Sequence, residues 1–139
     1  MKRKKVLLAE DDLDDQQLFY DFLNHRTDIH LLPMVEDGVE LFHTLNMIAC
    51  DDGLPQIIVL DHNMPKRNGF QTLELLKATP RYQHIPVMIY STYIDQQLTD
   101  ACYKKGASTV MTKPITKDDY NKMVEAFLTY YWFACQYHR

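Results

Sequence analysis

Short runs rich in apolar, β-branched residues alternate along this chain with longer segments whose apolar positions recur at helical spacing. Lys5-Val6-Leu7-Leu8-Ala9 reads as a strand, and the segment from about Asp14 to Asn24 sets Leu18, Phe19, Phe22 and Leu23 on one helical face. Ile29 to Val35 reads as a second strand, interrupted by Pro33, which has no backbone N–H to give a ladder and so suits an edge or a bulge. Gly38 to Ala49 follows as a helix carrying Leu41, Phe42, Leu45, Ile48 and Ala49. Ile57 to Leu60 is the most continuously apolar run, the pattern of a strand at the centre of a parallel sheet with both faces covered.

Beyond a loop from Pro65 to Gly69, Phe70, Leu73 and Leu76 mark a third helix that stops near Thr79-Pro80. Pro86 to Tyr90 is a fourth strand, and Asp95 to Lys105 a polar helix with Leu98, Ala101 and Cys102 inward and Gly106 as its cap. Ser108 to Met111 is a fifth strand. Lys117 to about Tyr131 closes the series with Tyr120, Met123, Val124, Phe127, Leu128 and Tyr131 on one face. Five βα units with right-handed crossovers imply a doubly wound parallel sheet with helices on both sides, so a ligand belongs outside the carboxyl ends of the strands.

Length and composition narrow the class. A chain of 139 residues suits one domain, 1–139 with a core of about 4–133, and 46% hydrophobic with 24% charged residues describes an ordinary globular protein. The net charge of −4 and a single basic run, Lys2-Arg3-Lys4-Lys5, argue against a nucleic-acid binder. Cys50, Cys102 and Cys135 form no CxxC pair, and the histidines (His25, His30, His43, His62, His84, His138) show no metal-binding spacing. With no signal-peptide core and no apolar run of membrane-crossing length, the expected place is the cytoplasm.

The strand ends carry the chemistry. Strand one ends in Glu10-Asp11-Asp12, strand three in Asp61, strand four in Ser91-Thr92 and strand five in Thr112-Lys113-Pro114. All converge on one edge of such a sheet. A cleft of carboxylates repels itself unless a cation sits among them, and oxygen ligands suit Mg2+, which also accepts phosphate oxygens. Asp61, expected to be ionised at neutral pH, is then an oxygen nucleophile able to form an acyl phosphate. Lys113 neutralises the charge of the transferring group, and the Ser91 hydroxyl bonds one of its oxygens.

These pieces, Leu8-Ala9-Glu10-Asp11-Asp12, Leu60-Asp61-His62-Asn63-Met64-Pro65 with Gly69, Ser91-Thr92 and Lys113-Pro114, resemble in order and position the receiver domain of two-component response regulators, of the chemotaxis-regulator type. The resemblance covers about Lys4 to Phe133 and implies an α/β, five-stranded (βα)5 flavodoxin-like receiver fold. It implies that Asp61 accepts a phosphoryl group from a sensor histidine kinase or phosphotransfer protein. Asp12 and Asp61 would ligate Mg2+ directly with the Asn63 backbone carbonyl, and Asp11 through a bound water. A cis Lys113-Pro114 bond is a further implication. The chain departs from the family at Val110, where an aromatic residue usually precedes the lysine by three positions, and at Thr92, usually Ala or Gly.

Plainer roles exist for the same residues. Asp11, Asp12, Asp14 and Asp15 all suit N-capping or first-turn positions; Asp14 and Asp15 are assigned there, Asp11 and Asp12 to the metal. The aromatic stretch Tyr130 to Cys135 is read as added packing, against an exposed patch for a partner. The expected protein is a stand-alone, non-enzymatic phosphorylation switch whose output is a downstream protein, onward phosphotransfer or a homodimer, with no membrane and no nucleic acid. The alternatives are a phosphate-independent scaffold and an Asp-nucleophile phosphohydrolase. The hydrolase reading is weakened by Asn63, since such enzymes place an aspartate acid/base there. A nucleotide-binding module lacks its glycine motifs.

Overall fold

Every residue of the most apolar run is buried, because it forms the middle of the sheet. The computed structural model describes residues 3–137; Lys2 of the basic run and His138 lie outside the described residues. The elements in chain order are β1 (Lys4–Ala9), α1 (Leu13–Leu23), β2 (Ile29–Leu31), α2 (Gly38–Asn46), β3 (Ile57–Asp61), α3 (Gly69–Ala78), β4 (Val87–Ser91), α4 (Gln96–Lys104), β5 (Thr109–Thr112) and α5 (Lys117–Tyr137). The strands pair in parallel in the order β2-β1-β3-β4-β5.

Strand alternation divides the interior into two cores. Leu7, Ala9, Ile58, Leu60, Val87 and Ile89 meet Leu41, Leu45, Leu73, Leu76 and Cys102 from α2, α3 and α4. Val6, Leu8, Ile57, Val59, Met88 and Tyr90 meet Phe19 and Leu23 of α1 and Tyr120, Met123, Val124 and Phe127 of α5. Each such aliphatic or aromatic side chain contributes about 1.5–3 kcal/mol by leaving water, so the two layers together hold the strand ends in register.

The helices start on polar side chains that accept orphan backbone N–H groups. Asp12 Oδ1 accepts from Asp15 N at 2.9 Å for α1, Asp37 from Glu40 N at 2.8 Å for α2, and Asp95 from Leu98 N at 2.8 Å for α4. Asn68 and Gln71 form a reciprocal capping box for α3. Gly106 follows α4 with φ of 103°, a left-handed position that glycine takes without Cβ strain.

Some boundaries differ from expectation. The β2 strand is indeed at an edge, but it stops at Leu31, before Pro33; Leu32 N still donates to Val6 O at 2.9 Å, and the chain rejoins β1 through the Ala9–Val35 bridge. The α2 helix ends at Asn46, and the apolar Ile48 and Ala49 lie in the turn that follows. The α5 helix runs on to Tyr137. On it Tyr131 is half-buried against the α1/α5 core with Lys4 Nζ 4.5 Å above its ring, whereas Trp132 and Phe133 are exposed and meet edge to face. The expected cis Lys113-Pro114 bond is not found: the described peptide bonds are trans, the form favoured by about 0.5–1 kcal/mol before proline. Among the described residues no helix is long and apolar enough to cross a membrane.

Candidate functional site

Parallel register brings the strand ends level. Ala9 pairs with Leu60, Asp61 with Tyr90 and Ser91 with Thr112, so the residues at or just past these positions share one edge. Glu10, Asp61 and Ser91 are buried there, although all are polar. The loop after β3 is held close by Gly69, whose N–H donates to His62 O at 3.0 Å. A Cβ at Gly69 would lie 2.8 Å from both Asp61 O and His62 Cα. Only glycine permits that approach.

The carboxylates that gather are Glu10, Asp11 and Asp61, with one oxygen from each lying within 4.8 Å of the others. Asp12, expected among them, instead caps α1 with its side chain, and its backbone N–H donates to Glu10 Oε2 at 3.1 Å. Glu10 is the residue that sequence reasoning missed. Counting the strand alternation onward from Val6 and Leu8 carries Glu10 to the face of Tyr90, which was the available signal. There the Tyr90 hydroxyl donates to Glu10 Oε1 at 2.8 Å.

Lys113 closes the site from β5. Its Nζ lies 2.7 Å from Asp15 Oδ2, 2.9 Å from Glu10 Oε1 and 3.5 Å from Asp61 Oδ2. Burial disfavours the ammonium, but the hydrogen bonds it donates to Asp15 and Glu10 and the charges of Glu10 and Asp61 outweigh it and hold the lysine charged. Asp15 was expected to act only on the helix dipole; it stands in the first turn of α1 and also grips this lysine.

Burial pushes the Asp61 carboxyl up to about 8, helped by the hydrogen bond and charge of Glu10 and opposed by Lys113 and by the Asn63 N–H. Burial beside the Glu10 carboxylate thus disfavours the ionised form of Asp61 when no cation is added. A buried like-charged pair needs a further cation, and a donor set made only of carboxylate oxygens fits a hard divalent ion such as Mg2+. Asn63 donates its backbone N–H to Asp61 Oδ1 at 3.2 Å and its side-chain amide to Ser91 Oγ at 3.2 Å. Beside it His62 Nδ1 is buried without a hydrogen-bond partner, and burial lowers the pKa of that ring against the opposing charge of Asp95.

At the position of the family's missing aromatic, Val110 is partly buried against the α2/α3/α4 core. Its backbone N–H donates to the hydroxyl of Tyr103 at 3.2 Å, tying α4 to β5.

Residues 6–125 match the family model described as the response regulator receiver domain. The chain is 28% identical over 130 residues to the response regulator Rcp1 of Synechocystis sp., covering 92% of this chain and 88% of that protein. It is 28% identical over 124 residues to the transcriptional regulatory protein CiaR of Streptococcus pneumoniae, covering 89% of this chain but 51% of that longer protein. Among solved structures, the Mn(2+)-bound form of Rcp1 aligns with TM-score 0.73 and 30% identity over 88% of this chain and 89% of that one. The phosphorylated cyanobacterial phytochrome response regulator RcpA aligns with TM-score 0.78 and 27% identity over 94% of this chain and 95% of that one.

Proposed function

The chain belongs to the response regulator receiver-domain family of two-component signalling, and from that premise we propose that Asp61 is its phosphoacceptor and that a sensor histidine kinase or phosphotransfer protein is its donor. The observation that carries the reading is the convergence on Asp61, at the end of β3, of two further carboxylates, Glu10 and Asp11, from the end of β1 and one half-buried ammonium, Lys113, from the end of β5. In the transfer, an Asp61 carboxylate oxygen bonds to phosphorus as the P–N bond of the donor phosphohistidine breaks. The electron pair of that bond stays on the imidazole nitrogen, which takes a proton from solvent.

Glu10, Asp11, Asp61 and the Asn63 backbone carbonyl would hold Mg2+, with Asp12 left to its helix cap. Bound there, the ion would supply positive charge that favours the Asp61 carboxylate and offsets the charge of the transferring oxygens. Lys113 supplies the second positive charge, and Ser91 Oγ, now bonded by the Asn63 amide, supplies a hydroxyl for a phosphoryl oxygen. Recruiting Ser91 would draw on the loop from Ser91 to Ile94 and so bias α4, a shift between two surfaces that a downstream protein reads. Asn63 has no titratable group for acid/base work, which favours a retained phosphoryl group over turnover.

The test is intact mass after incubation with acetyl phosphate, with and without Mg2+, for the parent and Asp61→Asn. One Mg2+-dependent phosphoryl adduct that vanishes in the variant supports the reading. A folded parent that takes no adduct under either condition overturns it and leaves a phosphate-independent scaffold.

A further inference from the structure

Lys113 spends its hydrogen-bonding capacity before any phosphoryl group arrives. An ammonium has three donors, and three carboxylates already stand around this one. The contacts are unequal: Asp15 and Glu10 lie at charge-assisted hydrogen-bond distance, 2.7 and 2.9 Å, while Asp61 lies at the outer limit, 3.5 Å. The lysine is thus held mainly by residues other than the proposed acceptor.

We propose that Asp15 is a positioning residue that holds Lys113 away from Asp61 in the unphosphorylated protein and releases it to the incoming phosphoryl group. The inference rests on the reading of Asp61 as phosphoacceptor and goes beyond it to what sets the lysine's availability. A phosphoryl oxygen needs one of the three donors, so one carboxylate must give way. Glu10 is not free to do so: its side chain is fully buried, Tyr90 fixes Oε1 and the Asp12 N–H fixes Oε2. Asp15 is free. Its side chain is 32% exposed, so water takes over its hydrogen bond, and the cap of α1 uses its backbone N–H and not its carboxylate.

Two effects of opposite benefit follow from removing the Asp15 carboxylate. The ammonium moves onto Asp61 and Glu10, where it competes with a divalent cation, and it meets the phosphoryl group without first breaking an ion pair. Asp14, the neighbouring acid of the same turn, is exposed and supplies a control of equal charge change.

The experiment compares the parent, Asp15→Asn and Asp14→Asn by calorimetric titration with Mg2+ alone, and by the rate of adduct formation from acetyl phosphate at saturating Mg2+. Asp15→Asn is expected to weaken Mg2+ binding and to quicken adduct formation, each by roughly threefold or more, as for directly coupled neighbours. Asp14→Asn is expected to stay within about twofold of the parent in both, the small change left to a distant, screened charge. In a Lys113→Met background, Asp15→Asn should no longer alter Mg2+ affinity. Equal behaviour of the Asp14 and Asp15 variants, or an Mg2+ effect undiminished without Lys113, overturns the inference while the parent still takes its adduct. A parent that takes no adduct overturns the underlying reading and this inference with it.

Discussion

The Tyr90 hydroxyl and Glu10 Oε1 are joined by a 2.8 Å hydrogen bond inside the protein, between residues 80 positions apart in sequence. The bond settles which carboxylate of the Glu10-Asp11-Asp12 run turns inward, because only Glu10 has a buried donor waiting for it. Tyr90→Phe keeps the ring and removes the donor, so it is expected to destabilise the fold by about 1.5–3 kcal/mol, as for a hydrogen bond to a charged group. Urea unfolding measures this; an unchanged midpoint would show that Lys113 and the Asp12 N–H hold Glu10 without Tyr90.

Asp61 sets a pH slope. Its folded-state pKa, about 8, lies above the 3.8 of the unfolded chain, so the unfolded state releases the proton first and stability falls as pH rises between those values. In chelator-treated protein, Asp61→Asn removes the slope. Its melting temperature should exceed that of the parent by a margin that widens from pH 5 to pH 8, and a margin independent of pH would contradict the assignment.

Divalent binding should reverse that penalty. At Mg2+ ten times its dissociation constant, linkage stabilises the parent by about 1.4 kcal/mol. Asp11→Asn and Asp61→Asn should lose most of the gain, while Asp12→Asn, which keeps a good capping side chain, should retain it. Thermal melts with and without Mg2+ distinguish the three; equal loss in the Asp11 and Asp12 variants would restore Asp12 to the metal.

Gly69→Ala places a methyl group 2.8 Å from backbone atoms of Asp61 and His62. Backbone cannot swing aside as a long side chain does, so a loss of about 1–3 kcal/mol is expected, with slower adduct formation because the acceptor loop shifts. Denaturant unfolding together with the adduct rate reads both.

The strands and their order were legible because the buried runs are apolar and a parallel sheet leaves few topologies for them. Asp61, Ser91 and Lys113 were legible because each interrupts or follows such a run at its carboxyl end. Other features needed contacts that no local pattern encodes. The α1 helix starts at Leu13, one residue before the expected Asp14, and that residue turns Asp12 into the cap and leaves the site to Glu10. The Asp15–Lys113 pair spans 98 positions and joins two charges that each look like solvated surface groups. The apolar face of α5 ends near Tyr131, where exposed Trp132 and Phe133 follow, but the helix runs on to Tyr137, and no Gly or Pro follows Pro114 to stop it.

The spread of the site along the chain also sets when it can exist. Glu10 and Asp61 precede β5, but the lysine that faces them, Lys113, follows β5, the last strand of the sheet. During synthesis, at about 5–20 residues per second, Asp61 and its acidic neighbours therefore emerge well before their counter-charge. The proposed site is therefore complete only once β5 has joined the sheet, and until then its carboxylates stand without the lysine that faces them.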